Sequence, residues 1–405
     1  MRVVMLGGTG WFGRVAAALL ARERDVTDLL LAGRNLTLAR ELAAELGPKA
    51  TAARLDIFDE DALVSVLAGA DLLVNASGPY FQTLLPALSA AIRARVDYVD
   101  FAEDWQAVSH ALDLDGAARE AGITALVGVG DAPGLTNLMV MQAAATLDQV
   151  HAVEVGWFCD IEGLLGSAAD NLARMRKTGR ISGCLRAILH SCSNPVRVLE
   201  DGRWVTQPAG GATRAIALPG TPRLAFRSMG SGEPITLPRR LPQLRAASSW
   251  MCFLPTPVNE LIESQARQIA AGRLGDEAAA IVILTLLAEQ PERWLRRPAD
   301  MPGGAAFAIV AGIENGKPVR HGSIPAWCYR QDILGRDLGT AAPLTLAALE
   351  LLRGEIEQTG VLPPEACFKP TTFFAELSGR WATLPGDSLL SEWTESSAAV
   401  ATQVA

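Results

Sequence analysis

Tyrosine and histidine are scarce in this 405-residue chain, at three and four residues, and their positions exclude several chemistries. Tyr80, Tyr98 and Tyr329 are followed four places on by Leu84, Ala102 and Ile333, so the tyrosine and lysine pair through which short-chain dehydrogenases deliver a proton is missing. His110, His151, His190 and His321 are isolated, the nearest approach to a cluster being His190-Ser191-Cys192, which argues against a metal centre. No Gly-x-Ser-x-Gly elbow lies between a strand and a helix, which removes a serine-hydrolase nucleophile. The six cysteines, Cys159, Cys184, Cys192, Cys252, Cys328 and Cys367, contain no C-x-x-C pair. With no signal-peptide pattern before the first apolar run, free thiols and a cytoplasmic location are expected. Long apolar runs are missing too. Ala278 to Ala288 spans 11 residues between Glu277 and Glu289, short of the roughly 20 that cross a bilayer, and reads as a buried helix. A net charge of −8 disfavours nucleic acid and points to a small-molecule partner. The length implies more than one domain.

Glycine is concentrated where it carries information. Residues 7–13 read Gly7-Gly8-Thr9-Gly10-Trp11-Phe12-Gly13, between the apolar run Val3-Val4-Met5-Leu6 and the helix-forming stretch Arg14 to Leu20. Strand, glycine turn and helix in this order make a dinucleotide fingerprint. Gly8 is expected to permit the tight turn, Gly10 to let the backbone approach a pyrophosphate, and Gly13 to let the helix pack closely on the strand, while the helix N-terminus offers N–H donors to the anion.

Apolar strands and amphipathic helices alternate through the first third. Strands are expected at Asp28 to Ala32, Thr51 to Leu55, Leu72 to Asn75, Tyr98 to Asp100 and Thr124 to Val127, with helices at Leu36 to Leu46, Glu60 to Leu67, Leu84 to Arg93 and Leu112 to Ala121. With the opening strand this is an α/β fold, a doubly wound parallel sheet of the Rossmann type. From Val150 to about Pro325 the strands read longer: Ala152 to Phe158, Val196 to Val205 around Asp201-Gly202, Leu224 to Ser228, and Ala305 to Ile313 returning through Asn315-Gly316 to Val319 to Ile324. Helices around Asn259 to Ala271 and Glu277 to Leu287 would cover one face of a mixed α+β domain. Ala341 to Ile356 is again helical and is closed by the glycine and proline punctuation of Gly360 to Glu365. The tail from Asp387 to Ala405 lacks periodicity and is expected to be partly mobile.

Several loops then gather at the carboxyl ends of the parallel strands, where ligands of such sheets bind. Gly33-Arg34-Asn35 ends the second strand; an arginine there, with no competing acid, favours the 2′-phosphate of NADP(H) over NAD(H). Asp56 and Ile57 fall where an adenine would be flanked, and Asp56 reads equally as a helix N-cap. The loop Asn75-Ala76-Ser77-Gly78-Pro79-Tyr80 should approach the ribose and nicotinamide. Phe101 to Trp105 and Gly130 to Asn137 complete the rim, with carboxylates that are either acids or helix caps. Arg174, Arg176, Lys177, Arg180 and Arg186 in the second domain read as a solvated helix face or as partners for substrate carboxylates.

Taken together, Gly7 to Gly13, Asn75 to Tyr80, Tyr98-Val99-Asp100, Gly128 to Leu135 with its Asp-Ala-Pro-Gly core, and Gly339 to Glu365 resemble the saccharopine dehydrogenase family in its reductase-like branch. The resemblance implies a discontinuous dinucleotide domain (1–132 with 335–386), an inserted substrate and dimerisation domain (133–334), a homodimer, and NADPH-dependent reduction of an imine to a secondary amine or the reverse. It also implies catalytic roles for Tyr80 and for Cys159, which ends the strand entering the second domain; Asp160-Ile161 replaces the usual glycine pair after that cysteine. Asp131 or Asp104 would stabilise the substrate cation. A reductase of C=C bonds on the same fold and a catalytically silent nucleotide sensor are the alternatives.

Overall fold

The computed structural model describes residues 1–178, 181–297, 304–326, 328–329, 338–383 and 388–396. It divides into two compact units, one of Met1–Gln142 with Pro325–Ser391 and the other of Ala143–Ile324 with Glu392–Ala405.

The first unit opens with β1 (Arg2–Leu6), α1 (Trp11–Arg22), β2 (Asp28–Gly33), α2 (Leu36–Leu46), β3 (Ala50–Arg54), α3 (Glu60–Leu67), β4 (Leu72–Asn75), α4 (Tyr80–Ala94) and β5 (Asp97–Asp100). It continues with α5 (Trp105–Leu112), α6 (Asp115–Ala121), β6 (Thr124–Leu126) and α7 (Leu135–Ala144). All strand pairings are parallel, in the order β6, β5, β4, β1, β2, β3. The central strands are short apolar runs because helices cover both faces; Val3, Val4, Met5, Leu72, Leu73 and Val74 are fully buried. Strand order reverses between β1 and β4, which places the ligand crevice above their carboxyl ends. The helix expected from Leu112 to Ala121 is shorter, α6 starting at Asp115, and a separate helix not expected from the sequence, α5, precedes it, capped by Asp104 accepting from the Ala107 N–H at 2.8 Å.

The segment read as punctuation, Gly360–Leu362, is a seventh strand, parallel to β6 with Gly360 opposite Thr124. Three residues are too few to show a period, so the strand is fixed by its partners. The Gly360 N–H donates to the Ile123 carbonyl at 2.9 Å, and Asp115 accepts from the Val361 N–H at 3.0 Å. The helix before it, Ala341–Leu352, is buried on almost every side and packs on α1 and β5.

The second unit holds a mixed sheet in the order Thr213–Ile216, Leu224–Met229, Ala246–Leu254, Gln149–Asp160, Gly304–Glu314, Lys317–Pro325, Leu390–Ser396, with a hairpin of Val196–Glu200 and Arg203–Gln207 attached to Ala246–Leu254. Both expected turns form, with Asp201 at φ 49° and Gly202 at 76°, and Asn315 at 50° and Gly316 at 73°. Sequence reading missed the central strand Ala246–Leu254, which runs parallel to Gln149–Asp160; buried on both faces, it carries no alternation to detect. Two further expectations are corrected. Part of the tail expected to be mobile forms the edge strand Leu390–Ser396, where the Trp393 ring fills the space beside Gly322. The helix expected to be buried, Asp276–Glu289, turns only one face to the core, leaving Ile281 40% and Val282 36% exposed.

Candidate active site

The glycine turn is built by contact. Gly7, not Gly8, takes the left-handed conformation (φ 71°), and a Cβ there would lie 2.3 Å from the Ala76 carbonyl oxygen. A Cβ on Gly13 would lie 2.1 Å from the Gly7 carbonyl oxygen. The Gly10 N–H donates to that same carbonyl at 2.9 Å, and Gly10 stands at the N-cap of α1 with no side chain over the first turn. The backbone of residues 7–10 is therefore bare on its outer side, and this cradle fits a pyrophosphate. Thr9, Trp11 and Phe12, in and directly after the turn, are all partly accessible.

At the carboxyl end of β2, Arg34 is exposed and no described residue pairs with it. Asn35 is spent as the N-cap of α2, accepting from the Leu38 N–H at 3.1 Å. Asp56 accepts from the Phe58 N–H at 3.2 Å, whereas the N-cap of α3 is Asp59, which settles that alternative. Ile57 is partly buried beside them. One residue was passed over: Arg54, the last of β3, is exposed and in register with Gly33, where an added Cβ would meet nothing within 4 Å. It ends a strand rather than following one, so position in a turn gave no signal.

The loop after β4 is held by a buried polar network. The Asn75 amide donates to the Tyr98 hydroxyl at 3.0 Å and accepts from the N–H and hydroxyl of Ser77. The Tyr98 hydroxyl donates to Asp100 at 2.7 Å, and the other Asp100 oxygen accepts from the N–H groups of Ala102 (2.9 Å) and Gly128 (2.8 Å). Burial lifts the Asp100 carboxyl to about 6, against these hydrogen bonds. The network ties the loops after β4, β5 and β6 together, so the Asn75 side chain shapes the crevice from beneath. Ala76 and Pro79 are buried, and Ser77 and Gly78 reach the surface.

Tyr80, expected to be catalytic, is held inside the scaffold. Its hydroxyl is buried, the residue being 2% exposed, and donates to the Asn75 carbonyl at 2.8 Å. Burial and the nearby Asp100 and Glu103 carboxylates push the phenol well above its usual value. Its ring packs edge-on against Phe101 at 5.5 Å between centroids, with Phe12 on the same ring at 6.1 Å. Tyr80 is thus a brace for the loop.

Asp131 lies on the rim, partly exposed, in a turn closed by Gly134. Gly134 (φ 125°) would carry a Cβ 2.1 Å from the Gly130 carbonyl oxygen, so the glycine that ends the Asp-Ala-Pro-Gly sequence is a backbone requirement. Asp104 is a cap, as noted. Among the described residues Glu103 is neither helix cap nor ion-pair partner: it is half-buried, and burial with the neighbouring Asp104 and Asp100 charges lifts it to about 8.

Cys159 belongs to the second unit, in register with Phe253 and Gly304 at the end of its strand, and packs on the helix-covered core. Of the basic residues read as a solvated helix face or as partners for substrate carboxylates, Arg186 pairs with Asp276 at 2.7 Å and Arg174 donates to Asn171 at 3.3 Å. Arg176 and Lys177 are exposed, and Arg180 lies outside the described residues. Cys159, Cys184, Cys192, Cys252 and Cys367 are free thiols. Among the described residues there is no metal-ligand cluster, and no helix is long and apolar enough to cross a membrane.

Residues 3–126 match the model of the saccharopine dehydrogenase NADP binding domain. A carboxyaminopropylagmatine dehydrogenase from Synechocystis is 25% identical over 403 residues, covering 93% of this chain and 95% of its own. A trans-acting enoyl reductase from Mycobacterium leprae is 27% identical over 212 residues, 51% of this chain and 48% of its own. The apo saccharopine dehydrogenase (L-Glu forming) of Saccharomyces cerevisiae shares the fold, with a TM-score of 0.62, 17% identity and coverage of 98% and 100%.

Proposed function

We propose that this saccharopine dehydrogenase-like, NAD(P)-dependent oxidoreductase uses NADPH to reduce a C=N bond to a secondary amine, or runs the reverse oxidation. The carrying observation is the match along 93% of the chain to a protein named carboxyaminopropylagmatine dehydrogenase, whose name joins a dehydrogenase activity to a substituted agmatine. When bound, the nicotinamide supplies the hydride. The chain supplies position and field. Gly7, Gly10 and Gly13 open the pyrophosphate cradle, and Arg34 with Arg54 meets the 2′-phosphate. The loop Ala76 to Pro79 borders the nicotinamide ribose from its brace on Tyr80, and Asp131 stabilises positive charge on the substrate nitrogen. Cys159 is assigned a substrate contact, and the inserted domain substrate binding and self-association as a homodimer. Its free thiols suit a reducing cytoplasm.

The Mycobacterium leprae relative favours a second reading, hydride addition to a C=C bond conjugated to a carbonyl, over half of the chain. NADPH consumption separates the two. The protein is offered imines formed in place from amines and keto acids, then conjugated enoyl compounds, with product masses recorded. A secondary amine is the expected product. Turnover of enoyl compounds alone overturns the imine reading, and tight NADPH binding with no turnover in either panel overturns both.

A further inference from the structure

Of the ionisable groups Tyr80, Tyr98, Asp100, Glu103 and Asp104 around the carboxyl ends of β4 and β5, four are consumed by the scaffold. Tyr98 and Asp100 bond each other and the Ala102 and Gly128 N–H groups, Asp104 caps α5, and the Tyr80 hydroxyl bonds the Asn75 carbonyl. Glu103 stands between the Ala102 and Asp104 anchors, so its backbone is fixed while no described cation neutralises its side chain. The strand before it, β5, neighbours β4 on the side of the switch point where the nicotinamide half of a dinucleotide lies.

Resting on the C–N reading above, we propose that Glu103 is the catalytic residue that exchanges a proton with the reacting nitrogen. The lone pair of the imine nitrogen takes the proton of the Glu103 carboxyl. The imine carbon then accepts the hydride supplied by NADPH, and the π pair of the C=N bond returns to nitrogen as its lone pair. Solvent restores the proton to the carboxylate, so one imine, one NADPH and one proton give one secondary amine and NADP⁺. In the reverse direction the carboxylate takes the proton from the amine.

The surroundings suit this role. Asp100 and Asp104 carry negative charge towards Glu103, and the Tyr80 phenol beside it stays neutral. Burial and the two carboxylates raise Glu103 to about 8, so the carboxyl is protonated at neutral pH and can donate. Once the proton has left, the carboxylate faces an iminium at short range, which holds the cation in the reacting geometry.

The test uses the full chain with Glu103→Gln and Glu103→Asp. In the reductive direction, wild-type kcat/KM is expected to fall as pH rises through about 8. Glu103→Gln should lose that limb and about 10²-fold or more in kcat/KM, and Glu103→Asp should regain part of both. NADPH affinity should change less than twofold in either. Infrared difference spectra of the ligand-free protein give a readout independent of turnover: a protonated-carboxyl band should titrate near pH 8 in the wild type and vanish in Glu103→Gln. Imine turnover by Glu103→Gln with an unchanged pH profile overturns this inference alone. Absence of imine turnover by the wild type overturns the C–N reading, and with it nitrogen as the proton's acceptor.

Discussion

Asn137 donates its amide N–H to a Glu365 oxygen at 2.9 Å across 228 residues of sequence, with both side chains 1–3% exposed. The Asn137 oxygen accepts from the Gly134 N–H at 3.0 Å. One asparagine therefore joins the rim turn after β6 to the returning C-terminal segment. Removing one partner of such a buried bond costs roughly 1–3 kcal/mol. Asn137→Ala is expected to lower the thermal midpoint by several degrees and to weaken catalysis through the loosened turn. An unchanged midpoint would show that the pair carries no stability.

Arg34→Ala should narrow the preference for NADPH over NADH, because the exposed guanidinium lies where the 2′-phosphate is expected. Charge-assisted bonds are worth roughly 1.5–3 kcal/mol, or one to two decades in Kd. Arg54→Ala should act in the same direction and more weakly. Fluorescence titration giving equal dissociation constants for the two nucleotides in the wild type would contradict the assignment.

Gly13→Ala places a methyl group 2.1 Å from the Gly7 carbonyl oxygen. Backbone cannot yield there without displacing α1 from β1, so nucleotide binding should be lost and the protein destabilised. Gly33→Ala is the control, since nothing lies within 4 Å of its Cβ. Calorimetric titration with NADPH on both variants checks the contrast.

Tyr80→Phe separates a brace from an acid. Deleting a hydroxyl that only supports the Asn75 carbonyl should cost roughly 0.5–1.5 kcal/mol of stability and leave kcat within a few-fold. A catalytic proton donor lost at this position would lower kcat by about 10² or more. Steady-state kinetics with thermal unfolding on the same preparation distinguishes these outcomes.

Glu350 gives a pH dependence of stability with a definite sign. Burial, then the Glu376 and Glu355 charges, raise its carboxyl from 4.5 to about 7, against Arg353 and Arg380. A folded-state pKa above the unfolded one makes its stabilising contribution complete below about 4.5 and progressively lost as pH rises to about 7. Glu350→Gln should match the wild type near pH 4 and exceed it at pH 8, by about 1–2 kcal/mol after allowance for solvent screening. A thermal midpoint lower than wild type at pH 8 would contradict this.

The first six parallel strands, the glycine turn and both hairpins were legible in the sequence because each rests on local physics: apolar runs of strand length, a left-handed pair at Asp201-Gly202 or Asn315-Gly316, and glycines where a Cβ has no room. The identity of the left-handed glycine was not legible, because Gly7 and Gly8 differ only in that Gly7 abuts Ala76, a neighbour supplied by β4. Gly360–Leu362 and Ala246–Leu254 were missed for a related reason: each is a strand through its hydrogen-bonded neighbours and carries no period of its own. At the site the sequence named the rim loops but not the roles within them. Tyr80 and Asp104 read as candidate catalytic groups, and in the fold their oxygens bond the Asn75 carbonyl and the Ala107 N–H. Glu103 was one carboxylate among several in the string. Residue type settles which groups can titrate; only the tertiary structure decides which of them the scaffold has already used, because hydrogen-bond partners and desolvation come from segments distant in sequence.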